Sequence, residues 1–181
     1  MSLEDFCSPW SGHAIRHIPD APDNTIFDFG NVRRVREHRW NYAGERTIYL
    51  AKSQDVALGE YARHFRESRP GLAGQALSRK VYSIEIKLES TINLCNKAIW
   101  DNFGVVKGPH SFMDEQIARS VARSIRTATP AQGIFVPSMC FLDNLEKWNL
   151  VLFLEKLPNS PRQCLISAEL IGRFSIQVKC T

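Results

Sequence analysis

The segment "KVYSIEIKL", Lys80 to Leu88, constrains the fold of this chain more than any other stretch. Tyr82, Ile84, Ile86 and Leu88 alternate with Val81, Ser83, Glu85 and Lys87. Side chains along an extended backbone point to opposite faces in turn. The alternation therefore predicts a strand with one face buried and the other largely wet. The fold must give this strand a sheet to join and a core against one side.

Other segments supply that sheet. "HAIRHI" (13–18) reads as a short strand, and "RTIYLA" (46–51) is a β-branched and aromatic run bounded by Gly44 and Ser53. "GIFVP" and "NLVLFL" are short apolar runs suited to central strands, which are covered on both faces. "RFSIQVK" alternates again near the C-terminus. "PDAPDNTIFDFGN" (19–31) is rich in Pro, Asp, Asn and Gly and reads as an irregular loop.

Two helices fall between these strands. The first starts at Ser53 or Asp55, either of which can satisfy an orphan amide at a helix start. Ala57, Leu58, Tyr61, Ala62 and Phe65 form its apolar stripe, and "SRPGLAG" (68–74) ends it. The second runs from about Met113 to Ile125, with Ile117, Val121 and Ile125 at spacing four. The expected fold class is α+β, with a mixed or antiparallel sheet. At 181 residues, with no repeat or linker, the chain reads as one domain over 1–181. A chain this long buries ~70% of its unfolded surface and needs no staple.

Charge and cysteines narrow the function classes. The net charge is +4, and the densest basic run is "RRVREHR", Arg33 to Arg39. That run reads as a solvated loop or an anion contact. No basic stretch is long or aromatic enough for nucleic-acid recognition. Cys7, Cys95, Cys140, Cys164 and Cys180 are widely spaced and form no C-x-x-C pair. Neither zinc nor a disulfide framework is supported, so no metal is expected and the thiols read as reduced and mostly buried. The N-terminus lacks a secretory pattern, and no apolar run reaches the length of a membrane span. A cytoplasmic protein is expected; delivery into another cell by a machine that reads no such signal stays open.

Familiar catalytic motifs are missing. There is no G-x-G-x-x-G after a strand, no P-loop, no H-E-x-x-H and no G-x-S-x-G. His13, His17, His38, His64 and His110 do not fall at metal-ligand spacing. What remains is a set of polar residues in apolar surroundings. Each has a bland reading. Arg16 can be a surface arginine, Tyr49 a core residue with a bonded hydroxyl, Glu60 a solvated helix charge, and Ser138 a turn cap after Pro137.

Their order points further. Arg16 in "HAIRHI" is followed by Arg39-Trp40-Asn41 and by Tyr49 in "IYLA". Then come Ser53, Ala57 and Glu60 in "SQDVALGE". Gly133-Ile134 and Pro137-Ser138 follow in "GIFVPS", and last Asn149 to Phe153 in "NLVLF". This ordered set, spread over residues 13–155, resembles the RES family, which takes its name from an Arg, a Glu and a Ser. Two positions depart from the family pattern. Glu37-His38 stand where the family has Gly-Gly before "RWN", and Met139-Cys140 stand where it often has Ala-Arg.

The resemblance implies a toxin of a toxin–antitoxin pair, with a fold similar to ADP-ribosyltransferases: a split mixed or antiparallel sheet with flanking helices. It implies NAD⁺ as substrate rather than resident cofactor, cleaved by a glycohydrolase or used to transfer ADP-ribose to a protein. A third reading is a module that binds NAD⁺ without turning it over. It also implies a cognate antitoxin of helix-turn-helix type. Cleaving the nicotinamide–ribose bond passes through an oxocarbenium-like state, which a carboxylate stabilises. The resemblance gives that role to Glu60. It assigns Arg16 to the diphosphate, for which a planar fork of donors is suited. Tyr49 can stack on nicotinamide or touch the ribose. Ser138 can touch the ribose or hold Glu60, and Arg39 can contact phosphate or brace its loop.

Overall fold

A computed structural model describes residues 2–27, 36–68, 76–158 and 161–177, with the side chains of 65–68, 76, 77, 176 and 177 outside that description. Several sequence expectations fall outside it: the arginines at 33 and 34, the loop end at 28–31, the Phe65 side chain, the helix stop at 69–74, residues 178 and 179, and Cys180. The elements run β1 (Ser8–Pro19), β2 (Thr47–Ala51), α1 (Gln54–Ser68), β3 (Ala76–Asn93), α2 (Glu115–Ala128), β4 (Gly133–Pro137), β5 (Trp148–Phe153) and β6 (Leu165–Gln177).

β3 is the spine that the alternation predicts, and it extends beyond "KVYSIEIKL" at both ends. Ile84, Ile86 and Leu88 are buried, and Lys87 is exposed. Val81 departs from the expected wet face because α1 covers it. It packs with Ile15, Ala51, Val56 and Ala57. At Tyr82, β3 is flanked by Arg16 of β1 and Leu170 of β6. At Thr91 it is flanked by Ser8 of β1 and Gly133 of β4. A strand has two edges, so β6 and β4 share one edge of β3 in succession.

The sheet order is β1-β2-β5-β4-β3-β6, with β1 also paired to β3. That pairing closes the first five strands into a barrel-like ring. β3 and β4 run parallel, while the other pairs are antiparallel, so the sheet is mixed as expected. β4 and β5 are central and covered on both faces. Leu150 and Leu152 face one core with Ile84, Ile86 and Phe135. Val151 and Phe153 face the other with Ile134, Val136 and the buried side of α2. Burying each such side chain contributes ~1.5–3 kcal/mol. Gly133 is required here, because a Cβ would lie 2.8 Å from the Val151 carbonyl oxygen.

Three further expectations shift. β1 and β6 begin well before "HAIRHI" and "RFSIQVK", because pairing with β3 holds mixed-polarity sequence in the extended state. α2 starts after an Asp114 cap, and Ile117 is 39% exposed while Ala118, Val121, Ala122 and Ile125 make the buried stripe. The short alanines let the helix sit close to the sheet. Of the described cysteines only Cys164 is buried, while Cys7, Cys95 and Cys140 are half-buried and all four are free thiols. Among the described residues no helix is long and apolar enough to cross a membrane.

Candidate active site

The Arg-Trp-Asn triplet is a clamp for one wall of a cleft. His38 and Asn41 exchange backbone hydrogen bonds of 3.1 and 3.3 Å, which closes a tight turn. Asn41 is fully buried. Its Nδ2 donates to the carbonyls of Arg36 and Tyr42, and its Oδ1 accepts from the Tyr49 hydroxyl at 2.8 Å. That hydroxyl accepts in turn from the Trp40 amide at 3.3 Å. The Trp40 ring is buried and packs on Phe112 with centroids 5.0 Å apart. Arg39 Nη1 donates to the carbonyls of Phe112 and Met113 at 2.9 and 2.7 Å, and its Nη2 meets Glu115 at 3.3 Å. These contacts tie the Arg39 loop to the segment before α2, while Arg39 also lines the cleft. No described residue outside glycine has a positive φ, so the turn asks no left-handed backbone of His38.

Glu60 lies opposite, near the middle of α1. Its Oε1 accepts three bonds: from Ser138 Oγ at 2.7 Å, the Met139 amide at 2.7 Å and Asn149 Nδ2 at 3.1 Å. Its Oε2 faces Arg63 Nε and Nη2 at 3.3 and 3.2 Å, one helical turn on. Three elements therefore converge on one carboxylate: α1, the end of β4 and the start of β5. Glu60 is not the solvated helix charge of the bland reading, since its side chain is only 19% exposed. Ser138 is fully buried behind it. Ser53 stands where the first helical bond begins, its carbonyl accepting from Ala57. Its hydroxyl donates to the Asp55 carboxylate, which is paired with Lys147.

Between these walls lies a cleft of about 530 Å³, within the ~300–1,000 Å³ usual for ligand sites. Glu60, Tyr49 and Arg39 line it, with His17, His38, His64, Tyr61, Arg63, Glu115 and Asn149. Ser138 reaches it only through Glu60. Arg16 is not among the lining residues. It shares its face of β1 with Ala14 and Ile18, and it donates to the Ile26 carbonyl at 2.6 Å. Its neighbour His17 is the residue of β1 that lines the cleft. The histidines, Arg63 and Asn149 are the cleft groups that motif spacing missed. Asn149 lay inside the quoted "NLVLF" run, but only the β4–β5 pairing brings it to Glu60.

Burial sets the electrostatics of the walls. It pushes the Tyr49 hydroxyl well above its ordinary range, so the group stays a neutral donor. Burial also lowers His38, helped by the nearby His64, whose ring centroid is 5.9 Å away. His17 falls to about 4, through burial first and then the Arg79 and Arg16 guanidiniums. At neutral pH the cleft therefore presents neutral His17 and His38 rings beside the Glu60 carboxylate.

Comparison with known proteins fits this geometry. In three dimensions the chain is similar to a chain in the crystal structure of the M. tuberculosis MbcT-MbcA toxin-antitoxin complex. The TM-score is 0.65 at 16% identity, over 94% of this chain and 87% of that one. At that identity the likeness bears on the fold. No curated protein matches the chain in sequence. The sequence matches the RES domain over residues 14–171, a span that takes in Trp40, Tyr49, Glu60, Ser138 and Asn149, and the chain belongs to the RES domain family.

Proposed function

We propose that the protein is a toxin-like enzyme that consumes NAD⁺ by cleaving the nicotinamide–ribose bond. The observation that carries this reading is the Glu60 carboxylate of α1, held by three donors from the end of β4 and the start of β5 at the wall of a nucleotide-sized cleft. As the C–N bond breaks, its electron pair goes to the ring nitrogen and nicotinamide leaves neutral. The ribose becomes oxocarbenium-like, and a carboxylate beside it offsets the developing positive charge. In a partly enclosed cleft that field is screened less than in bulk water. Water then adds to the ribose carbon and gives up a proton, leaving ADP-ribose. Tyr49 and the loop it anchors shape the wall for the flat nicotinamide ring.

The mixed sheet with flanking helices supports an ADP-ribosyltransferase-like assignment for the fold, with the strands closed into one ring rather than split. The similarity to a chain of a toxin–antitoxin complex supports a cognate antitoxin partner. The helix-turn-helix type of that partner and a cytoplasmic site of action complete the reading. Purified protein mixed with NAD⁺ labelled in its adenosine half tests it. Free labelled ADP-ribose with released nicotinamide is the expected product. Label fixed to a protein makes the enzyme a transferase instead, and NAD⁺ bound but unchanged makes it a binding module.

A further inference from the structure

Arg79 of β3 reaches the His17 ring across the sheet. β1 and β3 pair with His17 opposite Val81 and Pro19 opposite Arg79, so the two side chains are diagonal neighbours. Arg79 Nε and Nη2 lie 3.1 and 3.0 Å from His17 Nδ1. A guanidinium only donates, so Nδ1 must offer a lone pair. The imidazole is then neutral and carries its proton on Nε2. The ring is fixed by edge contacts to Tyr61 of α1 and Phe174 of β6, at centroid distances of 4.8 and 5.7 Å. Arg79 itself stacks over Tyr61 at 4.9 Å. Among the described residues, the Arg79 and Arg16 guanidiniums both disfavour a charge on the ring.

We propose that His17, backed by Arg79, is the diphosphate-reading residue of the cleft, with its Nε2–H donating to a phosphate oxygen. The guanidinium polarises the imidazole and makes Nε2–H a stronger donor, as in a chain of hydrogen bonds. The ring stays neutral, so it needs no counter-charge when the cleft is empty. Arg16 adds positive potential from the opposite face of β1 without entering the cleft. Diphosphate recognition is thereby carried by the residue beside the family arginine and by a partner on another strand. This inference rests on the NAD⁺ reading above.

The test uses the full-length protein, with ADP as probe and adenosine as control. Nitrogen NMR of wild type should show His17 protonated at Nε2 and bare at Nδ1, and the Nε2–H signal should move when ADP is added. By calorimetry, His17→Phe keeps the ring packing and should weaken ADP by about tenfold, the loss of one hydrogen bond to a charged group. Adenosine affinity should not change. A proton on Nδ1, a ring signal indifferent to ADP, or equal weakening of both ligands overturns the proposal. If wild type consumes NAD⁺ yet ADP leaves His17 untouched, this inference fails alone. If wild type neither consumes NAD⁺ nor binds ADP, the reading beneath it fails too.

Discussion

Ser138 Oγ donates to Glu60 Oε1 at 2.7 Å, although the two residues lie 78 positions apart in the chain. The serine has no exposed surface of its own. Of its two expected roles, the contact shown is the one to the carboxylate. Ser138→Ala should leave the Met139 amide and Asn149 as the remaining donors to that oxygen. A hydrogen bond to a charged group is worth ~1.5–3 kcal/mol, so NAD⁺ cleavage should fall by roughly tenfold to a hundredfold. Steady-state rates with near-unchanged KM would fit the account, whereas an unchanged kcat would not.

Asn149 approaches the same oxygen from β5 at 3.1 Å. Asn149→Ala should therefore cost a similar factor in kcat. Both residues hold one atom, so their effects should not add. The double variant Ser138→Ala/Asn149→Ala is expected to depart from the product of the single losses by ~0.5–3 kcal/mol in a double-mutant cycle. Simple additivity would mean that they act on separate features.

Asn41→Ala removes three hydrogen bonds from a fully buried side chain. It leaves two backbone carbonyls and the Tyr49 hydroxyl short of a partner, at ~1–3 kcal/mol each for any that stays unsatisfied. The melting temperature should drop by ~2–4 °C for each kcal/mol lost in a chain of this size. A melting curve that overlays wild type would remove the turn from its anchoring role.

His17 sets a pH dependence of stability. Its folded value of about 4 lies below the ordinary 6.5, because burial, Arg79 and Arg16 disfavour its charge. Between those values the unfolded chain carries a proton that the folded chain does not. Stability is therefore full above pH 6.5 and falls as the pH drops towards 4, by up to ~3 kcal/mol. Chemical denaturation at several pH values should show that slope. His17→Phe should flatten it, leaving a smaller slope of the same sign from His38, which is also lowered.

The strands that bury both faces were the most legible. "GIFVP" and "NLVLF" are apolar enough to demand a central place, and they hold it as β4 and β5. The extra lengths of β1 and β6 were hidden, because stretches such as "SPWSG" extend only where β3 offers its edge. In α2 Val121 and Ile125 of the expected stripe are buried, while Ile117 lies at its edge and Ala118 and Ala122 complete the contact. In the site, Glu60 and Ser138 were legible through the family pattern and not through local spacing. The His17–Arg79 pair had no local signal, since it depends on the register between β1 and β3.

In the proposed reaction Glu60 stabilises the charge that develops on the ribose. Nicotinamide release from NAD⁺ by wild type and by Glu60→Gln measures it directly. Glutamine keeps a carbonyl oxygen for Ser138, Met139 and Asn149 but removes the charge, and matched melting curves would show that the fold is kept. Steady release by wild type and a loss of ~10²–10³-fold in the variant are expected, on the scale of losing one preorganised transition-state contact. Equal rates for the two proteins, or no release by wild type, would contradict it.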